Sequence, residues 1–239
     1  LLSSGEVELE KSAMRQLSGL LSTAIVALSA SVPASAFSVY VSNEKDNTIS
    51  VIDSVTMEVV KTINVGQRPR GITMSRDGKL IYVCASDDDT IQIIDATTHE
   101  ITGTLQSGPD PELFDLSPDG KTLYVANEDD NLVTVIDLEN NKVLAEIPVG
   151  VEPEGMGISP DGKIIVNTSE TTNMAHFIDT TTHEITENVL VDSRPRFAEF
   201  KPDGSEVWVS SEIGGTVSVI DVKSHQVTKK ITFEIAGLR

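Results

Sequence analysis

Asp53, Asp95, Asp137, Asp179 and Asp221 stand 42 residues apart, and each closes an apolar run such as TISVID, TIQIID or VSVID. A fixed period of this length means a chain of similar supersecondary units, each packed on its neighbours. Aligned at 42, nearly every position falls into a column without insertions. Tyr40, Tyr82, Tyr124, Val166 and Trp208 share one column; Ser42, Cys84, Ala126, Thr168 and Ser210, all small, share another. Gly78, Gly120, Gly162 and Gly204 end SRDG, SPDG, SPDG and KPDG turns. In such turns Asp bonds nearby backbone and Gly takes a positive φ.

Each unit reads as four short strands, as in GITMS, KLIYVCAS, TIQIID and EITGTLQ, where β-branched or aromatic residues alternate with polar ones. The repeated Asp is expected to accept backbone N–H bonds where the third strand turns outward. Four-stranded units of about 40–45 residues are the pattern of a β-propeller. A β-sandwich would not keep its strand spacing so constant, and a β-helix has shorter coils. The predicted fold is therefore all-β, with antiparallel blades over residues 37–239. Four complete blades and one three-stranded blade give about five, in an open arc or a strained ring, since full closure pairs strands from both ends.

The net charge of −19 and pI near 4.4 repel phosphate backbones. Aromatic residues make up 4% of the chain, too few for base stacking, so nucleic-acid binding is excluded. A single cysteine, Cys84, allows no internal disulfide and reads as a small packing thiol. Residues 14–36 read as a secretory signal, with Met14-Arg15, an apolar Leu17–Val32 run and the small-residue end Pro33-Ala34-Ser35-Ala36. That run is too short and Ser-rich for a membrane span. Residues 1–13, carrying Glu6, Glu8 and Glu10, read as an upstream extension. The expected mature chain starts at Phe37, has a net charge of −18 and is periplasmic.

YVSN (40–43), YVAN (124–127), INVGQRP (63–69), IPVGVEP (147–153) and the SPDGK turns resemble the YVTN-type β-propeller repeat. With the signal segment, the chain resembles exported β-propeller proteins associated with PQQ-dependent alcohol catabolism. The resemblance covers residues 37–239. It implies a non-enzymatic periplasmic protein beside a quinoprotein dehydrogenase system, and rings of about seven blades. Against that count the chain reads as C-terminally truncated.

In such a propeller the first strand of each blade lines the channel, and the loop before it sits at the mouth. One mouth column holds Arg68, Asp110, Glu152 and Arg194; another holds Arg70, Glu112, Glu154 and Arg196. Arginine forks suit carboxylate or phosphate, so these eight residues form a candidate site for a periplasmic protein or small molecule. The same pattern also fits inter-blade salt bridges or solvated rim charge. Thr73, Asp115, Gly157 and Glu199 form the expected channel-lining column. Asp115 and Glu199 suggest an alternative, an enzyme of lactonase-like or quinone-cofactor type using a divalent cation. No nucleophile–base pair accompanies them, so no catalytic residue, metal ligand or cofactor site (PQQ included) is assigned.

His99, His183 and His225 share a column on the outer hairpins, too dispersed for a common metal, and His176 reads as structural. Trp208 reads as inter-blade packing. Asp87, Asp88 and Asp89, with Glu128, Asp129 and Asp130, lack the ligand series of a calcium loop and read as solvated turns.

Overall fold

A computed structural model describes residues 37–234; the expected upstream extension and signal segment, 1–36, lie outside them. Blade one holds β1 (Ser38–Asn43), β2 (Thr48–Asp53) and β3 (Val59–Asn64). Blade two holds β4 (Pro69–Met74), β5 (Leu80–Ala85), β6 (Thr90–Asp95) and β7 (Ile101–Gln106). Blade three holds β8 (Pro111–Leu116), β9 (Thr122–Asn127), β10 (Leu132–Asp137) and β11 (Lys142–Pro148). Blade four holds β12 (Pro153–Ile158), β13 (Ile164–Ser169), β14 (Met174–Asp179) and β15 (Ile185–Leu190). Blade five holds β16 (Pro195–Phe200), β17 (Glu206–Ser211), β18 (Thr216–Asp221) and β19 (Gln226–Thr232). Among the described residues all pairings are antiparallel between consecutive strands, so the fold is a β-propeller, with one three-stranded and four four-stranded blades described.

The turns behave as their residues require. Gly78, Gly120, Gly162 and Gly204 have φ between 72° and 74°. Asp53, Asp95 and Asp179 accept amide N–H bonds from the residues two and three positions on. The amides of Thr56, Thr98 and Thr182 respectively are the main cause of carboxyls held below the usual aspartate range. At Asp137 and Asp221 the leading cause is the side chain three positions on, Asn140 and Ser224.

Burial sits between blades rather than within them. Four buried clusters form, each shared by consecutive blades: Ile49, Val51, Ile81 and Val83 between one and two, and Cys84, Leu105, Phe114 and Leu123 between two and three. Ala126, Val133, Met156 and Ile178 join three to four; Phe177, Val189, Ala198 and Val209 join four to five. Among the described residues none of the four joins blade five to blade one, and β1 pairs only with β2. That is an open arc in its pairing. Val39 and Val41 on β1 are therefore exposed, and Trp208 is 44% exposed on the free face of blade five. Trp208 thus departs from the inter-blade packing expected of its column, because no described blade covers that face. Cys84 is fully buried as expected, and burial pushes its thiol pKa up.

The first strands of successive blades lie against one another, β4 on β8, β8 on β12 and β12 on β16. A missing side chain permits the last approach: a Cβ on Gly157 would sit 2.5 Å from the Ala198 carbonyl oxygen. Backbone cannot retreat as a flexible side chain can. Gly157→Ala is therefore expected to cost about 1–3 kcal/mol by overpacking. At Gly103 a Cβ meets only Ile93 Cδ1 at 3.8 Å, and Gly103→Ala should be neutral or slightly stabilising. Urea midpoints of the two variants check this contrast; equal midpoints would refute it.

Candidate functional site

The loop before each first strand is bent into position by a residue of one further column, of which only Asp89 was named above. Asn47, Asp89, Asn131 and Asn173 recur at 42 on the hairpins joining the first two strands of blade one and the middle strands' counterparts in later blades. Each adopts a positive φ, and its side-chain oxygen accepts the amide N–H of Arg68, Asp110, Glu152 or Arg194 at 2.9–3.1 Å. Those four mouth residues themselves have φ between 47° and 59°. Asn and Asp tolerate the left-handed region, whereas Arg and Glu there carry strain of about 1 kcal/mol or more.

The strained loops place charge side by side above the first strands. Arg68 Nη1 donates to Asp110 at 2.9 Å and to Asp87 at 3.3 Å, and its Nη2 donates to Glu112. Arg70 Nη2 bridges two blades, donating to Glu154 and lying 2.6 Å from Glu112 Oε2; its Nη1 donates to Glu44 at 3.3 Å. Arg196 Nη1 contacts Glu154 at 2.6 Å and Glu170 at 2.7 Å, while its Nε donates to Glu212 at 2.9 Å. Arg194 Nε donates to Glu170 at 2.7 Å. The arrangement is one continuous network of ion pairs across four first strands, with arginines on the outer two and glutamates on the inner two.

These are the inter-blade salt bridges of one reading, but not solvated rim charge. The Glu112 side chain is 0% exposed and that of Glu154 4%. Burying such charges is tolerable only with close partners, which the guanidiniums supply. The arginines expected to anchor a ligand thus already serve the protein's own glutamates. Burial, with Glu154 beside it, pushes the Glu112 carboxyl up to about 9 against the lowering pull of Arg70 and Arg68. Burial likewise raises Glu128 and Glu170. Glu152 stands apart, accepting from the Thr171 hydroxyl.

A second column escaped the sequence reading although it has the same period: Glu44, Ser86, Glu128, Glu170 and Glu212. Four of its five members contact a mouth arginine. The fifth, Ser86, donates to the Pro111 carbonyl at 2.6 Å. The acidic tips Asp87, Asp88 and Asp89 are exposed, as solvated turns should be, and they also staple loops: Asp88 accepts the Gln67 amide N–H at 2.8 Å, beside the Asp87 and Asp89 bonds above. Carboxylate oxygens of Asp110, Glu112 and Glu128 lie within 4.8 Å of one another, close enough for a shared cation. Arg68 reaches all three, at up to 3.9 Å, and supplies positive charge there itself.

A cleft of about 670 Å³ opens over the network, lined by Glu44, Arg70, Leu113, Glu154, Arg196, Phe197 and Ser210. Phe197 is 47% exposed and supplies an apolar wall. At the other end of the first strands, Asp115 and Glu199 line a separate cleft of about 430 Å³ with Arg76. Burial raises both carboxyls, and Asp115 adds to the rise at Glu199. Asp115 accepts the Leu116 and Ile158 amides through its two oxygens, so it ties blade three to blade four. Thr73 opposes Tyr82 in the β4–β5 ladder. His176 is held by Ser169, Asn188 and the Gly150 amide, a structural role, and burial lowers its pKa.

Residues 12–128 match the model of the YNCE-like β-propeller family. Among solved structures, the chain is similar to one from Kuenenia stuttgartiensis hydrazine synthase, with 32% identity and a TM-score of 0.68. The likeness covers 72% of this chain and 51% of the other, so the chain spans about half that protein chain's length. No curated protein matches. No helix among the described residues is long and apolar enough to cross a membrane.

Proposed function

For a β-propeller with this charged mouth, we propose a binding or scaffold role, with a periplasmic protein or small molecule held in the cleft above Arg70, Glu154 and Arg196. Export to the periplasm and service beside a PQQ-dependent alcohol-oxidising system are part of this reading, supported by the signal-like residues 14–36 and the YVTN-type repeats. The cleft is the observation that carries the binding role: about 670 Å³, an ionic floor and an exposed aromatic wall. Binding sites in proteins are concave and fix a ligand with a few convergent polar groups; here the charged groups outnumber the apolar ones, Leu113 and Phe197.

Removing the arginines would test folding rather than binding, since each holds buried glutamate. Ser210 lines the cleft and lies outside the ion-pair network. Ser210→Trp is therefore expected to fill the cleft with the fold intact. Immobilised wild-type protein should retain a ligand or partner from periplasmic extract that the variant does not retain, at unchanged melting temperature. Equal retention by both proteins would remove the mouth as the site.

A further inference from the structure

We infer that the mouth cleft selects a primary ammonium group, presented on a short apolar body that packs against Phe197 and Leu113. The inference rests on the cleft being the binding site and adds the chemistry of its ligand.

Charge balance is the first support. The connected network holds eight carboxylates, Glu44, Asp87, Asp110, Glu112, Glu128, Glu154, Glu170 and Glu212, against four guanidiniums. The floor is short of positive charge even with Glu112 protonated, as its burial and the neighbouring Glu154 favour. The second support is independent. Glu154 Oε2 is buried and has no hydrogen-bond partner, in a side chain 4% exposed that lines the cleft. An orphaned carboxylate oxygen costs about 1–3 kcal/mol or more, which a donor brought by a ligand recovers. An ammonium has three donors and no acceptor, which suits this oxygen, and the half-exposed Glu44 lines the same cleft.

An anion has the opposite problem. Arg70 and Arg196 each already contact three carboxylates, and a bound carboxylate would have to compete with them. Phe197, 47% exposed, offers a ring face to a cation. The net charge of −19 raises the local concentration of cations and not of anions.

Calorimetric titration of the full chain at low salt and neutral pH tests the assignment. The probes are n-butylammonium chloride, n-butanol and sodium butyrate, with acetyl-Ala-Lys-Ala-amide as a second ammonium source. Binding of the amine or the lysine peptide, with none of the alcohol or butyrate, is the expected result. The amine arm identifies a free small amine and the peptide arm a lysine on a protein. Glu154→Gln should weaken binding about tenfold, the loss of one charged hydrogen bond. Glu44→Gln, at a half-exposed position that cannot threaten the fold, should weaken it about threefold. Silence from both ammonium probes, or indifference to both substitutions, overturns the assignment. Butyrate binding that Ser210→Trp abolishes would overturn the ammonium inference alone and leave the cleft standing as a site.

Discussion

Arg70→Met is expected to lower the unfolding free energy by about 3 kcal/mol, near the lower end for breaking a buried ion pair. The guanidinium lies between Glu112 and Glu154, two side chains with almost no exposure, and removing it leaves each with a single guanidinium, Arg68 for Glu112 and Arg196 for Glu154. Methionine fills much of the same volume, so lost packing contributes little. The reference is Lys79→Met: Lys79 pairs with Asp77 at 3.0 Å, but the two side chains are 78% and 56% exposed. That pair is worth less than about 1 kcal/mol. Adding Glu154→Gln to Arg70→Met should recover part of the loss, because a buried charge left with Arg196 alone is removed together with its lost partner. Urea unfolding of the four proteins measures all of this. A loss at Arg70 no larger than that at Lys79 would mean that the network is ornamental to stability.

The second large effect is a pH dependence with an unusual sign for an acidic protein. The Glu112 carboxyl is raised in the folded state from about 4.5 to about 9. Between those values the folded chain holds a proton that the unfolded chain has lost. Its contribution is therefore fully present below about pH 4.5 and disappears as pH rises through about 9. One proton of difference tilts stability by at most about 1.4 kcal/mol per pH unit. Wild type should lose stability steadily from pH 6 to 9. Glu112→Gln, neutral throughout and of the same shape, should show a shallower fall. Glu128 and Glu170 are shifted in the same direction, so the variant retains some slope. Denaturation midpoints at pH 6, 7.5 and 9 decide the matter, and parallel lines for the two proteins would count against a proton on Glu112.

The blades were legible in the sequence because a propeller repeats its backbone, and a repeated backbone needs repeated turn chemistry. The aspartates at 42 and the Pro-Asp-Gly turns are local requirements, satisfied within a few residues, and each stands where its spacing put it. The mouth arginines and acids recur at 42 for the same reason. Their environment was not readable, since it depends on how far a side chain crosses the axis. Arg70 reaches over blade three to Glu154, 84 residues on, and no column at 42 announces a contact that skips a blade. The Glu44–Glu212 column carried the period in full view, yet its meaning comes only from the arginines it faces. Trp208 shows the reverse limit: its column fixes which face it points to, and only neighbouring blades decide whether that face is covered.

The double reach of Arg70 has a consequence for how such a chain can change length. Glu112 and Glu154 are equivalent positions one unit apart, and Arg70 holds both. Excising residues 107–148, one whole unit, would bring Glu154 to the place Glu112 now occupies. The hook from Asp89 would then fall to the amide of Glu152, as Asn131 serves it now. Arginine would still meet glutamate at the new junction. The mouth thus carries its charge code redundantly across units, and loss or gain of a module by recombination meets a compatible seam.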